Sequence, residues 1–351
     1  MKLGEVIEQI QPLDEASMTS ARARQDMLTK PRGSLGRLEE LSIQLAGMTA
    51  NPLPSVERKT VIVMAADHGV TRAGVSAYPA EVTAQMVSNF LRGGAAINVL
   101  ARQADARVVV VDMGVASEIE DVSGELVRRK IGLGTANLAQ GPAMTREQAV
   151  ESIQSGIEIA QAEIARGADI LATGDMGIGN TTASAAIACA LMNRSPEDIA
   201  GRGTGVDDDG LKRKIAVIVR ALDVNKPNAN DALDVLAKVG GFEIGGLAGV
   251  MLASAVNRKP VVVDGFISTA AAMIACSLAP AARDYMIAAH VSQERGHKLM
   301  LEWLGLNPLL DLNLRLGEGT GAALAFHLIE ASTRILREMA TFGEAGVSEK
   351  G

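Results

Sequence analysis

From residue 59 onward the chain repeats one pattern: a short β-branched or aliphatic run, then a long stretch with helical spacing of its apolar residues. The runs fall at 60–65, 107–112, 168–173, 260–263 and 286–290. Helical stretches fall at about 80–102, 145–166, 181–192, 207–222, 243–256, 265–278 and 293–304. Strands joined through helices return to the same end of a sheet and therefore pair in parallel. The expected fold class is α/β, with a mostly parallel sheet covered by helices.

The two ends of the chain lack this alternation. Residues 1–30 read as polar helix with Ile7, Ile10, Leu13, Met18, Ala21 and Met27 as apolar points. A turn at Pro31-Arg32-Gly33 and a helix over 35–48 follow. Segment 319–341 carries helical spacing in Leu324, Phe326, Leu328, Ile329, Ile335 and Met339, and is expected to pack on the N-terminal helices. The domain division expected is a large α/β unit over 31–318 and a small, discontinuous helical unit from 1–30 and 319–351. The chain from Thr341 on is expected to fray.

Aromatics make up only 2% of a chain that is 48% hydrophobic, so the core must be built from small and aliphatic groups. The net charge of −7 leaves no basic stripe for nucleic acid. The N-terminus has no apolar signal region, and no segment reaches the roughly 20 apolar residues of a membrane span. The nearest, 266–279, reads as a buried helix. Cys189 and Cys276 share no metal-like spacing and read as buried free thiols in a reducing cytoplasm.

Three glycine-rich segments stand before helices: Gly174-Asp175-Met176-Gly177-Ile178-Gly179-Asn180-Thr181-Thr182, Gly201-Arg202-Gly203-Thr204-Gly205, and Gly317-Glu318-Gly319-Thr320-Gly321. Glycines let a backbone approach an anion, and the first N–H groups of a helix point at it. Two of the three hold an acid, which suggests a nucleotide handled by acid–base chemistry. Strand ends at Asp67-His68-Gly69, Asp112-Met113-Gly114, Asp264-Gly265 and His290-Val291-Ser292 would form the rim of one cleft. At Glu318 a helix start favours the carboxylate and burial opposes it, and a general base near neutrality needs burial to dominate. Asp175 is expected to point past a phosphate toward a ribose hydroxyl or the reacting ring, or else to make a local turn. Asp207, Asp208 and Asp209 read as first-turn acids rather than a metal site, because neighbours on a helix diverge by about 100°. Lys214, further along that helix, is either an exposed lysine or one that reaches an anion. Asn180-Thr181-Thr182 replaces the Lys-Ser/Thr of a Walker loop, so ATP hydrolysis is unsupported. His68, His290, His297 and His327 show no ligand spacing; His327 reads as structural, and no metal site is expected.

With those residues in place, the chain resembles the nicotinate-nucleotide–dimethylbenzimidazole phosphoribosyltransferases of cobalamin lower-ligand assembly, nearly end to end. The resemblance rests on Thr29-Lys30-Pro31-Arg32-Gly33-Ser34-Leu35-Gly36-Arg37-Leu38-Glu39, Ala66-Asp67-His68-Gly69-Val70, Gly74-Val75-Ser76-Ala77-Tyr78-Pro79 and Val82-Thr83-Ala84-Gln85-Met86, together with the three glycine segments. It implies a Rossmann-like large domain, a small helical domain from both termini, a homodimer, and no metal or cofactor. It implies transfer of the phosphoribosyl group of nicotinate mononucleotide to 5,6-dimethylbenzimidazole, with inversion at the anomeric carbon. By resemblance Glu318 matches the catalytic base and Lys214 a lysine near it. Asp175 stands where the family usually has Glu, a carboxylate shortened by one methylene.

The resemblance further implies phosphate and nucleotide contacts from Gly177, Ile178, Gly179, Asn180, Thr181, Gly203, Thr204, Gly205 and Ser292. It implies an acceptor pocket with Ser76, Tyr78, Gln85, Met176 and Leu316. Two alternatives stay open from the residues alone. One is the same fold and mechanism with adenine or a phenol as acceptor, since apolar pockets discriminate a methyl group by only about 1–3 kcal/mol. The other is a nucleotide-binding regulator without turnover.

Overall fold

A computed structural model describes residues 1–119, 121 and 124–348. Six strands form one parallel sheet: β1 (Lys59–Ala66), β2 (Ala106–Gly114), β3 (Val127–Arg128), β4 (Ile170–Met176), β5 (Val261–Val263) and β6 (Met286–Ala288), in the order β3-β2-β1-β4-β5-β6. β1 is central and buried along its whole length, as its apolar sequence requires of a strand covered on both faces. The order reverses direction between β1 and β4, which is where a doubly wound sheet opens a crevice beyond its strand ends. The three glycine segments gather there.

Small residues let the covering helices come close. Helix Phe242–Val256 lies on helix Arg146–Ala165 so tightly that a Cβ at Gly156 would stand 2.7 Å from the Gly246 carbonyl carbon. The stripe Gly245-Gly246-Leu247-Ala248-Gly249 is thereby used inside the fold. Among the described residues no helix is long and apolar enough to cross a membrane. Segment 266–279 is the buried helix Phe266–Leu278.

Several expected elements differ in extent. Gly174, Asp175 and Met176 belong to β4, paired with Val63, Met64 and Ala65 of β1, so the turn before the next helix contains only residues 177–179. The glycine at 174 serves close backbone packing: a Cβ there would lie 2.7 Å from the Glu318 carbonyl carbon. The stretch 80–102 is two helices, Val82–Leu91 and Ala96–Gln103, broken where Gly93 turns left-handed at φ 76°. A helix Ala232–Val239, capped by the Asp231 carboxylate, was not expected.

At the termini, Glu15–Met27, Arg37–Thr49 and the outer half of Thr320–Glu338 pack on one another. They enclose a separate small apolar cluster of Ala21, Ala46 and Leu336 with Ile43. Arg24 Nε donates to the Leu336 carbonyl at 2.7 Å. The tail is more ordered than its polarity suggested. Leu28 bridges to Thr341, and Thr341 caps a short helix Phe342–Ala345 through a reciprocal bond with Glu344. The last three positions of the expected frayed tail lie outside the described residues.

Candidate active site

Glu318 stands in an unusual turn. Gly317, Glu318 and Gly319 are all left-handed, with φ of 86°, 64° and 91°. The two glycines adopt this freely, whereas the glutamate carries a local strain of order 1 kcal/mol. The turn leaves Glu318 only 5% exposed, with Oε2 accepting the Ile97 amide at 3.3 Å. That amide belongs to the helix start created by the break at Gly93-Gly94. Burial raises the carboxyl's pKa above the usual glutamate range, the Ile97 amide opposes it, and the nearby Asp264 charge adds to it. Of the two competing effects anticipated at this position, burial dominates.

Asp264, immediately after β5, holds the turn in place. Its Oδ2 accepts the Gly319 amide at 3.1 Å and its Oδ1 the Ala322 amide at 2.9 Å. Helix Thr320–Glu338 has glycine at its N-cap, so this buried carboxyl supplies the missing cap from another strand. Sequence reasoning noted Asp264 only as a strand end; nothing local signals a cap 55 residues away.

Asp175 is 4% exposed, and Asn180 Nδ2 donates to its Oδ2 at 2.9 Å. Oδ1 is buried without a hydrogen-bond partner among the described residues. Burial, then the charges of Asp264 and Glu243, push its pKa well above the ordinary value against the Asn180 bond. A carboxyl so placed holds its proton more firmly than an exposed one.

Lys214 is fully buried, not an exposed lysine. Its Nζ donates to Thr181 Oγ1 at 2.8 Å and to the Gly201 carbonyl at 3.2 Å, so it ties two glycine segments together. Glu318 is not among its hydrogen-bond partners. Burial lowers its pKa to about 8, with Glu294 partly sustaining the charge. Glu294 was missed in the sequence: its Oε1 accepts the Gly203 amide at 2.9 Å. Arg315 also reaches that segment, donating to the Gly203 carbonyl at 3.4 Å.

The remaining residues expected to hold an anion line the same rim, several already engaged. The Ile178 amide donates to Thr83 Oγ1 at 3.1 Å, so in this conformation it serves the fold. Gly177 and Gly179 are buried within the turn, followed by Asn180 and Thr181 in the first turn of helix Asn180–Met192. Ser292 Oγ accepts the Glu294 amide at 3.3 Å, which leaves its proton free to donate. Thr204 Oγ1 pairs with Ser76 Oγ at 3.0 Å and accepts the Ala77 amide at 3.0 Å, docking the loop at 76–78 onto the Gly203–Gly205 turn. Gly205 is exposed. Of the residues expected to line an acceptor pocket, Tyr78 and Leu316 are 55% and 58% exposed, Gln85 is exposed, and Met176 and Ser76 are half-buried.

Asp207 caps helix Asp208–Asn225 by accepting the Gly210 amide, and Asp208 and Asp209 occupy its first turn, as anticipated. Among the described residues no group of three His, Cys, Asp or Glu is arranged to hold a metal. His327 binds Gln103 Oε1 at 2.8 Å on a surface helix.

Residues 10–347 match a family model described as phosphoribosyltransferase. A protein of Roseiflexus sp. (strain RS-1) named nicotinate-nucleotide–dimethylbenzimidazole phosphoribosyltransferase is 62% identical, over 99% of this chain and 98% of its own. A protein of the same name from Chloroflexus aggregans is 61% identical with the same coverage. Among solved structures, the crystal structure of CobT from Thermus thermophilus superposes with a TM-score of 0.92 at 52% identity, covering 95% of this chain and 100% of that one.

Proposed function

The chain belongs to the nicotinate-nucleotide–dimethylbenzimidazole phosphoribosyltransferases, and on that premise we propose that it moves the 5-phosphoribosyl group of nicotinate mononucleotide to 5,6-dimethylbenzimidazole, releasing nicotinate. The glycosidic C–N bond breaks with its electron pair returning to the pyridine nitrogen, so the leaving group needs no acid. One benzimidazole nitrogen attacks the opposite face of the anomeric carbon, which gives α-ribazole 5′-phosphate. The proton on the other nitrogen becomes acidic as the bond forms and passes to Glu318.

The single observation that carries this is the Glu318 carboxylate: buried, raised in pKa, and fixed by the left-handed turn and the Ile97 amide. A base so positioned costs little reorganisation when the proton is delivered. The turn at 177–179, the Thr181 hydroxyl, the Gly203–Gly205 turn and Ser292 are the donors we assign to the phosphate. Lys214 supplies positive charge between the two turns. Asp175, whose Oδ1 is buried and unpaired, is assigned as a hydrogen-bonding group toward the nucleotide.

The open acceptor side favours a second reading of acceptor choice. Tyr78 and Leu316 leave it loosely bounded, so adenine or a phenol is the competing acceptor within the same mechanism. We also read the protein as a cytoplasmic homodimer. The dimer follows from the family resemblance, and the free thiols Cys189 and Cys276 fit a reducing compartment. The division into a large α/β unit and a small terminal helical unit is kept, and the packing of Arg37–Thr49 on Glu15–Met27 supports placing that helix in the small unit.

The test is incubation with nicotinate mononucleotide and equimolar dimethylbenzimidazole, adenine and phenol, with products resolved by chromatography and mass. Ribazole phosphate as the dominant product supports the assignment. A different riboside phosphate moves the acceptor and keeps the mechanism, and no product with any base leaves a binding protein.

A further inference from the structure

Beneath the 177–179 turn lies an ion pair that the transfer chemistry does not use. His68, two residues past β1, places Nε2 2.8 Å from Glu243 Oε1, and both side chains are fully buried. Glu243 occupies the first turn of helix Phe242–Val256, where the helix dipole favours a carboxylate. The His68 ring fills the space between that helix start and the turn. A Cβ at Gly177 would stand 3.4 Å from His68 Nε2, one at Gly179 3.2 Å from His68 Cβ, and one at Gly241 2.5 Å from His68 Cε1. His68 Nδ1 and Glu243 Oε2 are buried without hydrogen-bond partners among the described residues. A buried pair with unsatisfied atoms stabilises a fold no better than an apolar plug of the same shape. Its value must lie in what rests on it.

We propose that His68 is a positioning residue for the phosphoribosyl donor: paired with Glu243, it supports the 177–179 turn from below and places its ring, a cation when protonated, under the bound phosphate. This rests on the assignment of that turn to the phosphate. Charges then alternate through the protein: the positive helix start, the Glu243 carboxylate, the imidazolium, and the phosphate. The titratable groups around the ring are Asp67 just past β1, Glu243, and beyond Glu243 the buried Asp175 on β4. Burial opposes the imidazolium, but Glu243 and then Asp67 more than offset it, so the ring's pKa is raised. Lys214 holds the far side of the same turn through Thr181.

Glu243→Gln and His68→Gln test the assignment, with ribose 5-phosphate and dimethylbenzimidazole as separate probes in titration calorimetry and folding checked by circular dichroism. Without Glu243, burial is opposed only by the charge of Asp67, so the ring keeps its proton less readily and charges at lower pH than in wild type. Relative to wild type at the same pH, Glu243→Gln is expected to bind ribose 5-phosphate roughly tenfold more weakly at about pH 8 and to recover toward about pH 5. His68→Gln is expected to be weak at every pH, and dimethylbenzimidazole affinity to be kept in both. Should His68→Gln not fold, the recovery of Glu243→Gln in acid decides alone. Folded variants with wild-type ribose 5-phosphate affinity, or equal losses for both probes, overturn the proposal, as does a wild type that does not bind ribose 5-phosphate. A wild type that binds it as described yet forms no riboside product would sink the proposed activity and leave the His68 assignment standing.

Discussion

Gly174→Ala isolates the geometry of Glu318 without touching any chemical group. A methyl at 174 would stand 2.7 Å from the Glu318 carbonyl carbon and 2.9 Å from the Gly319 nitrogen, where ordinary contact begins at 3.4 Å. Position 174 is held by its pairing with Val63 in the central strand, so the strand cannot yield. The Glu318 carbonyl oxygen would stand closer still, so the 317–319 turn must move outward by about 1 Å. Overpacking of this size costs about 1–3 kcal/mol of stability. A displacement approaching 1 Å of a catalytic group costs up to about a hundredfold in rate, so kcat should fall roughly 10- to 100-fold. The donor KM should change little, because the 177–179 and Gly203–Gly205 turns do not move. Steady-state kinetics with a thermal melt in parallel measure both effects. A Gly174→Ala protein with wild-type kcat would refute the claim that the turn sets the position of Glu318.

Other perturbations follow from the same contacts. Asp264→Asn leaves one of the Gly319 and Ala322 amides without its acceptor in a buried place. It is expected to cost about 2–4 kcal/mol in chemical denaturation and to lower kcat as the turn loosens. Lys214, with its pKa lowered from 10.5 to about 8, loses its charge as pH rises through that value, so donor KM should climb above about pH 8. In Lys214→Met the climb disappears. Because the folded state holds this lysine's proton less tightly than the unfolded chain, wild type should gain stability relative to Lys214→Met between those two values. Burial lowers His297 from 6.5 to about 3, with the neighbouring His290 adding to it. The unfolded chain therefore binds the extra proton first, and on the order of 4 kcal/mol of stability drains away as pH falls across that window. Urea unfolding of His297→Gln across the same range should show a shallower acid limb.

The long strands were legible because runs such as Val61-Ile62-Val63-Met64 and Val108-Val109-Val110-Val111 admit little else, and the helices between them fixed their direction. Glu318 stood out because two glycines flanking an acid at a helix start exceed what capping needs. The sequence misled at Gly174, where a glycine that normally marks a turn instead admits another backbone against a strand. The Gly93-Gly94 pair, a turn signal overlooked inside 80–102, splits one helix and so creates the amide that binds Glu318. Asp264, Glu294 and the His68–Glu243 pair act across 55, 91 and 175 residues of chain. Such pairings depend on which strands neighbour one another, and no local periodicity encodes that. The raised pKa of Asp175 follows from burial and neighbouring charges, neither of which a linear pattern reveals.

The most direct measurement is single-turnover transfer by Glu318→Gln at saturating nicotinate mononucleotide and dimethylbenzimidazole, with donor affinity determined separately. If Glu318 takes the acceptor's proton, the rate should fall about 10²- to 10⁴-fold while the donor dissociation constant stays within a few-fold of wild type. A variant that turns over at the wild-type rate would contradict the account and reduce Glu318 to a structural acid.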